Sequence, residues 1–200
     1  VQGNVKVNGW DRNEVRVLVT SGTTVGFRVQ QKNQKTGEPV WIMIMPDNGE
    51  KNKFIASGEC ISGEEIEIDA PVNATLKLKG REVSTAVDGI RRVGIMNVGG
   101  DVSIRNISDG IDATSYRGDI TVERSAGSIV LENTTGNILA FDAEPSEIGD
   151  NFKAKTTSGS ISIQNIGHRQ IEVNSISGTV AYNGEILNGG SYRFWTSNGS

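Results

Sequence analysis

Gly100-Asp101-Val102-Ser103-Ile104 returns four more times down the chain. The copies are Gly118-Asp119-Ile120-Thr121-Val122, Gly136-Asn137-Ile138-Leu139-Ala140, Gly159-Ser160-Ile161-Ser162-Ile163 and Gly178-Thr179-Val180-Ala181-Tyr182. Each reads glycine, small polar, β-branched, any residue, apolar. The glycines are 18, 18, 23 and 19 residues apart. A unit that recurs at such a period cannot bury its apolar face alone, so successive copies stack as coils of a solenoid.

Alignment on the glycines gives rungs at 80–99, 100–117, 118–135, 136–158, 159–177 and 178–198, of which the first fits least well. Each later rung holds two apolar pairs. One follows the glycine: Val102/Ile104, Ile120/Val122, Ile138/Ala140, Ile161/Ile163 and Val180/Tyr182. The other lies about nine residues on: Ile111/Ala113, Ile129/Leu131, Phe152/Ala154, Ile171/Val173 and Tyr192/Phe194. Strand side chains alternate, so each pair points one way. Two one-faced strands per coil predict two parallel sheets packed face to face, with the column Ile104–Val122–Ala140–Ile163–Tyr182 in the core and about 4.8 Å between coils. A triangular β-helix of hexapeptides would need apolar residues at Ser108 and Thr114, so that form is rejected.

Residues 1–79 read as short strands continuous with the solenoid of 80–200, in one structural unit. Val5-Lys6-Val7, Val15–Val19, Val25–Val29, Ile66-Glu67-Ile68 and Leu76-Lys77-Leu78 alternate apolar and charged residues. Breaks are expected at Asn8-Gly9, Ser21-Gly22, Thr36-Gly37, Asp47–Gly49 and Ser62-Gly63, which predicts some antiparallel pairing. The apolar run Val40–Met45 reads as a buried strand. Trp10 and Trp41 are expected to be packed. The fold class is therefore all-β: a two-sheet parallel β-solenoid preceded by N-terminal strands.

The 25 glycines fall at fixed places, which marks turns. No apolar run is long enough for a membrane helix. Residues 1–99 carry 13 Lys+Arg against 12 Asp+Glu, and residues 100–200 carry 7 against 12. A repeat region that is 5 charges acidic repels phosphate backbones and argues against nucleic acid. Cys60 has no second thiol for a disulfide or a metal site, and reads as a packed small residue. The chain opens at Val1-Gln2-Gly3, and Thr196–Ser200 echoes Thr156–Ser160, where a new coil begins. The expectation is a domain cut from a longer chain.

Chemistry is sparse. His168 is the only histidine and falls in an expected turn, with no partners for catalysis or metal binding. Asp101 and Asp119 share a coil position continued by Asn137, Ser160 and Thr179. Stacked carboxylates could bind a cation or act as an acid/base pair, but Asp, Asn, Ser and Thr after a turn glycine read first as caps. The 23-residue coil carries its extra residues near Ala143–Asp150, an acidic loop that is a candidate recognition feature but reads first as a solvated edge loop. Phe141 and Trp195 fall on the outward parity of their strands, where an aromatic can stack on a sugar or anchor a protein. Outward residues of the second strands (Asp112, Lys153, Glu172, Arg193 among them) alternate in sign, as a stabilising ladder would. Sequons at Asn73, Asn106, Asn133 and Asn198 matter only in a glycosylating pathway.

Ile66–Pro71, Ala74–Leu78, Gly100–Ile107 and Ser158–Ile166, with Gly3–Asp11 ahead of them, resemble the bacterial adhesin family of toast-rack β-solenoid domains. The resemblance runs over essentially the whole chain. It implies an extracytoplasmic domain of the bacterial cell envelope, with no catalytic residue to carry over. Together these readings give a non-catalytic scaffold without cofactor or metal, whose partner is a protein or glycan at the envelope. The alternatives are a carbohydrate-active solenoid enzyme using Asp101 and Asp119, and a structural module that associates edge to edge.

Overall fold

The structure is a computed structural model that describes residues 2–20, 25–31, 40–46, 62–147 and 149–200. Cys60 and the turns expected at Ser21-Gly22, Thr36-Gly37 and Asp47–Gly49 lie outside the described residues. Every regular element among the described residues is a strand, as the period-two alternation dictates.

The strands in chain order begin with β1 Gln2–Trp10, β2 Arg16–Thr20, β3 Val25–Gln31, β4 Val40–Pro46, β5 Ser62–Pro71, β6 Thr75–Asp88 and β7 Arg92–Gly99. Two per coil follow: β8 Val102–Arg105 with β9 Gly110–Arg117, β10 Ile120–Glu123 with β11 Ser128–Thr135, and β12 Ile138–Ala143 with β13 Asn151–Ser158. The last are β14 Ile161–Ile166 with β15 Gln170–Ser177, and β16 Val180–Asn183 with β17 Ser191–Asn198. The first strands of the coils form one parallel arm, β16-β14-β12-β10-β8-β6, and the second strands form another, β7-β9-β11-β13-β15-β17. Strand β6 belongs to both arms. Its residues 75–82 pair with β7 and its residues 85–88 with β8, so it joins the N-terminal segment to the rack.

The register matches the apolar pattern residue for residue. Ile104, Val122, Ala140, Ile163 and Tyr182 are successive partners, and Val87, Val7 and Ile68 extend the column toward the N terminus. In the second arm Ile111, Ile129, Phe152, Ile171 and Tyr192 line up the same way. Side chains from both arms merge into one core, in which Ile120, Ile129, Leu131, Ile138 and Ile161 are fully enclosed. Burying each such side chain contributes about 1.5–3 kcal/mol.

Glycine is required where the coils turn. Gly118, Gly136, Gly159 and Gly178 have φ between 106° and 153°. A Cβ at Gly136 would lie 2.2 Å from the carbonyl oxygen of Gly118, and one at Gly159 would lie 2.0 Å from that of Gly136. The glycines thus stack with no room for a side chain. At the opposite corner Asn106, Arg124, Asp142 and Asn165 take the left-handed conformation, each just before a buried residue: Ile107, Ser125, Ala143 and Ile166.

At the N-terminal end β1 runs parallel to β5 and β6, and β2 is antiparallel to β5. Ser62-Gly63 starts β5 instead of breaking the chain. Strands β3 and β4 form a separate antiparallel pair, with Ile42 packed on the core. Trp41 is 63% exposed and Val40 is exposed beside it, contrary to the expectation of packing. The reason is topological: a hairpin outside the rack keeps one face in solvent. Trp10 is half-buried. Arg12 and Arg16 each lie 5.2 Å from its ring centre, and its indole N–H donates to the Glu14 carbonyl at 2.8 Å.

Candidate functional site

The motif aspartates have a structural occupation. Asp101 Oδ1 accepts the backbone N–H of Asp119 at 2.9 Å, and Asp119 Oδ1 accepts that of Asn137 at 2.7 Å. Asn137 Oδ1 accepts from Ser160 N–H at 2.9 Å, and Ser160 Oγ from Thr179 N–H at 3.3 Å. The cap expected within one turn is therefore a cap across coils: each polar residue serves the equivalent position of the next coil. One carboxylate oxygen of each aspartate is committed to this ladder.

A second polar ladder faces inward. Asn133 Nδ2 donates to the Gly118 carbonyl at 2.7 Å, Thr156 to Gly136 at 3.1 Å, Ser175 to Gly159 at 2.9 Å and Thr196 to Gly178 at 3.0 Å. These residues stand three positions before Gly136, Gly159, Gly178 and Gly199, and each reaches the glycine that opens its own coil. They supply the partner that a buried carbonyl requires. The signal was present in the sequence as Asn/Ser/Thr at a fixed offset, but polar residues drew no notice as core positions. Asn133, one of the sequons, is buried with its amide committed here.

His168 does sit at a corner, between β14 and β15, but it is fully buried instead of solvated. The coil between its own and that of Gly127 leaves the common path here, where Ser146 and Gly149 close a small excursion. The imidazole fills that space, 6.0 Å from the Phe152 ring, and Nε2–H donates to the Gly127 carbonyl at 2.7 Å. The extra residues of the long coil are thus partly structural: Gly149 is buried and Asp150 Oδ1 accepts the Arg169 N–H at 2.8 Å. Burial lowers the pKa of His168, against smaller opposing effects of the Gly127 bond and the charges of Asp150 and Glu144. Asp69 shows the reverse balance. Burial pushes its pKa up, but hydrogen bonds from Arg16 (2.7 Å) and Asn8 outweigh that and hold it low. Among the described residues no group of three or more His, Cys, Asp and Glu is placed to hold a metal ion.

Phe141 and Trp195 do not form one site. Phe141 lies on β12 in the first arm, half-buried, with Glu123 and Gln164 as its register neighbours. Trp195 lies on β17 in the second arm and is 53% exposed. Its row on the outer face runs Glu132, Lys155, Asn174, Trp195. The adjacent row runs Val130, Lys153, Glu172, Arg193. Toward the start of β13, β15 and β17 the same face carries an open groove of about 460 Å³, lined by Asp150, Lys153, Gln170, Glu172 and Arg193 and not by Trp195. Lys153 and Glu172 are paired at 3.6 Å, whereas among the described residues Glu132, Lys155 and Arg193 have no salt bridge. Met96 and Tyr116, exposed on β7 and β9 at the other end of this face, were not singled out from the sequence, since a lone outward apolar residue carries no periodic signal.

No helix among the described residues is long and apolar enough to cross a membrane. Compared with family models, curated proteins and solved structures, the chain gives no match, so the assignment of a parallel β-solenoid rests on its own repeat geometry.

Proposed function

We propose that this chain is a non-catalytic, extracytoplasmic binding module of the bacterial cell envelope, of the toast-rack adhesin kind, which presents the outer face of its second arm to a glycan or protein. The observation that carries the reading is the exposed Trp195 on β17, the last strand of the second arm. A binding aromatic held by a parallel ladder loses little freedom on contact. The rack supports this role: its outer polar ladder ties each coil to the next, and Asp101 and Asp119 serve that framework. The test is binding of the intact protein to a glycan array and to purified envelope fractions, with Trp195→Ala and Phe141→Ala as variants. Loss with Trp195→Ala and retention with Phe141→Ala is expected. Retained binding in both variants, or measurable glycan cleavage lost in Asp119→Ala, would overturn the reading.

One observation favours a second reading, association through the coil edges. Strands β16 and β17 each pair on one side only, and Phe194 is 40% exposed against Tyr182, their ring centres 5.0 Å apart. An open parallel edge with apolar groups behind it is a template for pairing. Sedimentation that stays monomeric at high concentration would remove this reading.

A further inference from the structure

We propose that Asn188 is a self-modifying site, at which the backbone nitrogen of Gly189 displaces the side-chain amide and converts the residue to aspartate and isoaspartate. Asparagine followed by glycine meets the least hindrance to this closure, because glycine puts no side chain over the attacking nitrogen. Four such pairs lie among the described residues: Asn8-Gly9, Asn183-Gly184, Asn188-Gly189 and Asn198-Gly199. A fifth, Asn48-Gly49, lies outside them. The sequence treats these pairs alike, and the fold does not.

The peptide between the two residues must swing until its nitrogen faces the side-chain carbonyl carbon, so whatever holds that peptide protects the asparagine. Asn8 lies within β1, paired with β5 and β6, and its Nδ2 donates to Glu67 at 2.8 Å and to Asp69 at 3.3 Å. Gly9 is pressed on the Gly89 carbonyl, whose oxygen is 1.7 Å from where a Cβ would stand. Asn198 pairs with Ser177, and Gly199 stacks on Gly178 with only 2.0 Å between a Cβ and its carbonyl oxygen. Beyond it the Ser200 carbonyl accepts the Val180 N–H at 2.8 Å. Asn183 ends β16 in register with Gln164, and Gly184 lies against the Tyr182 ring, whose hydroxyl donates to the Glu185 carbonyl at 2.7 Å. Asn188 has no such restraint. It is exposed and outside every strand. Among the described residues neither its side chain nor the Gly189 N–H has a hydrogen-bond partner. A Cβ at Gly189 would meet nothing within 4 Å. A single turn bond spans the pair, from the Gly190 N–H to the Leu187 carbonyl at 3.1 Å.

The step needs only water. The Gly189 nitrogen loses its proton and bonds to Asn188 Cγ, the Cγ–Nδ2 bond breaks, ammonia leaves, and a five-membered imide closes. Water opens the imide at one of its two carbonyls. Opening at the side-chain carbonyl gives aspartate. Opening at the main-chain carbonyl gives isoaspartate, whose backbone runs through Cβ and is one carbon longer. That carbon enters the turn between Gly190 and Leu187, whose N–H donates to the Tyr192 hydroxyl at 2.8 Å. Tyr192 belongs to β17, the strand of Trp195. The modification therefore loosens the corner that joins β16 to β17 and leaves a negative charge there.

The test is incubation of the intact protein at pH 8.5 and 37 °C, read by peptide mapping with mass spectrometry and by enzymatic methylation of isoaspartate. Asn188 is expected to convert about tenfold or more faster than Asn8, Asn183 and Asn198, since the held sites must first open locally. In urea-unfolded protein the four rates should draw together. Gly189→Ala should slow conversion of Asn188 and leave the other three unchanged. Hydrogen exchange across residues 184–191 should quicken in the aged protein but not in Asn188→Asp, which carries the charge without the extra carbon. Conversion of any of the other three as fast as Asn188 in the folded protein would overturn the proposal. An intact Asn188 under conditions that convert all four in urea would do the same. Equal exchange in the aged protein and in Asn188→Asp would overturn the loosening of the corner.

Discussion

The imidazole of His168 donates from Nε2 to the carbonyl of Gly127, 41 residues earlier and two coils away. The donor must be the Nε2–H tautomer, since a carbonyl only accepts. Nδ1 is then a bare lone pair, buried and without a partner. Protonation would place a charge and an unpaired N–H in the interior. The folded pKa lies below the ordinary 6.5, with burial the largest cause.

A pH dependence follows from this relationship. Below about pH 6.5 the unfolded chain takes up a proton at His168 that the folded chain refuses. The stabilisation is complete above that pH and declines as pH falls from 6.5 toward the folded pKa. Urea unfolding at pH 7.5 and 5.5 should show a larger loss in the parent than in His168→Phe, by at most about 1.4 kcal/mol per pH unit. Parallel losses in both proteins would contradict the buried neutral state.

The glycine column makes a sharper demand. Gly136→Ala must accept φ of 137° and a Cβ 2.2 Å from the Gly118 carbonyl, so it should cost 3 kcal/mol or more, roughly twice the strain term alone. Gly189 also has positive φ, but a Cβ there meets nothing within 4 Å. Gly189→Ala should cost only the conformational strain, about 1–2 kcal/mol. The difference between the two, read by denaturant unfolding, separates close approach from backbone geometry.

Asp119 tests cap against catalyst. Asp119→Ala strips the acceptor from Asn137 N–H at an exposed site and should cost about 0.5–1.5 kcal/mol. Asp119→Asn keeps an acceptor oxygen and should cost less. A ranking of stabilities in this order, by thermal unfolding, supports the cap. Equal loss in both would mean that the charge itself is needed.

In the core, Leu131→Ala should cost about 2–5 kcal/mol, because its partners on both sides of the sheet ladder cannot close the cavity. A value below 1 kcal/mol would indicate that the coils collapse laterally.

How much of this was legible depended on the physical signal. Period-two alternation placed Ile104, Val122, Ala140, Ile163 and Tyr182 in one column, because strand parity counted from the recurring glycine leaves no other register. The outward parity of Trp195 was equally readable. The position of Trp41 was not, because apolar composition does not say whether a hairpin lies inside the rack or beside it. His168 was unreadable for a related reason. Its burial comes from the departure of another coil, at residues 143–150, which no local pattern at Gly167–Arg169 records. Asn106 was read only as a sequon and Asn165 not at all, because a single left-handed residue leaves no periodic signal; each stands just before a buried isoleucine, Ile107 and Ile166.

The outer polar ladder also gives the rack a direction. Asp101, Asp119 and Asn137 hold out acceptors toward the following coil, while Asn133, Thr156, Ser175 and Thr196 close each coil on the glycine carbonyl that opens it. The two ends of any such stack are chemically unlike, as the ends of a growing filament are. One end offers waiting side-chain acceptors, and the other offers bare glycine-turn amides. Coils can be added only head to tail, in a single polarity. A reversed coil would bring acceptor against acceptor at one junction and amide against amide at the other, so neither junction could close its hydrogen bonds.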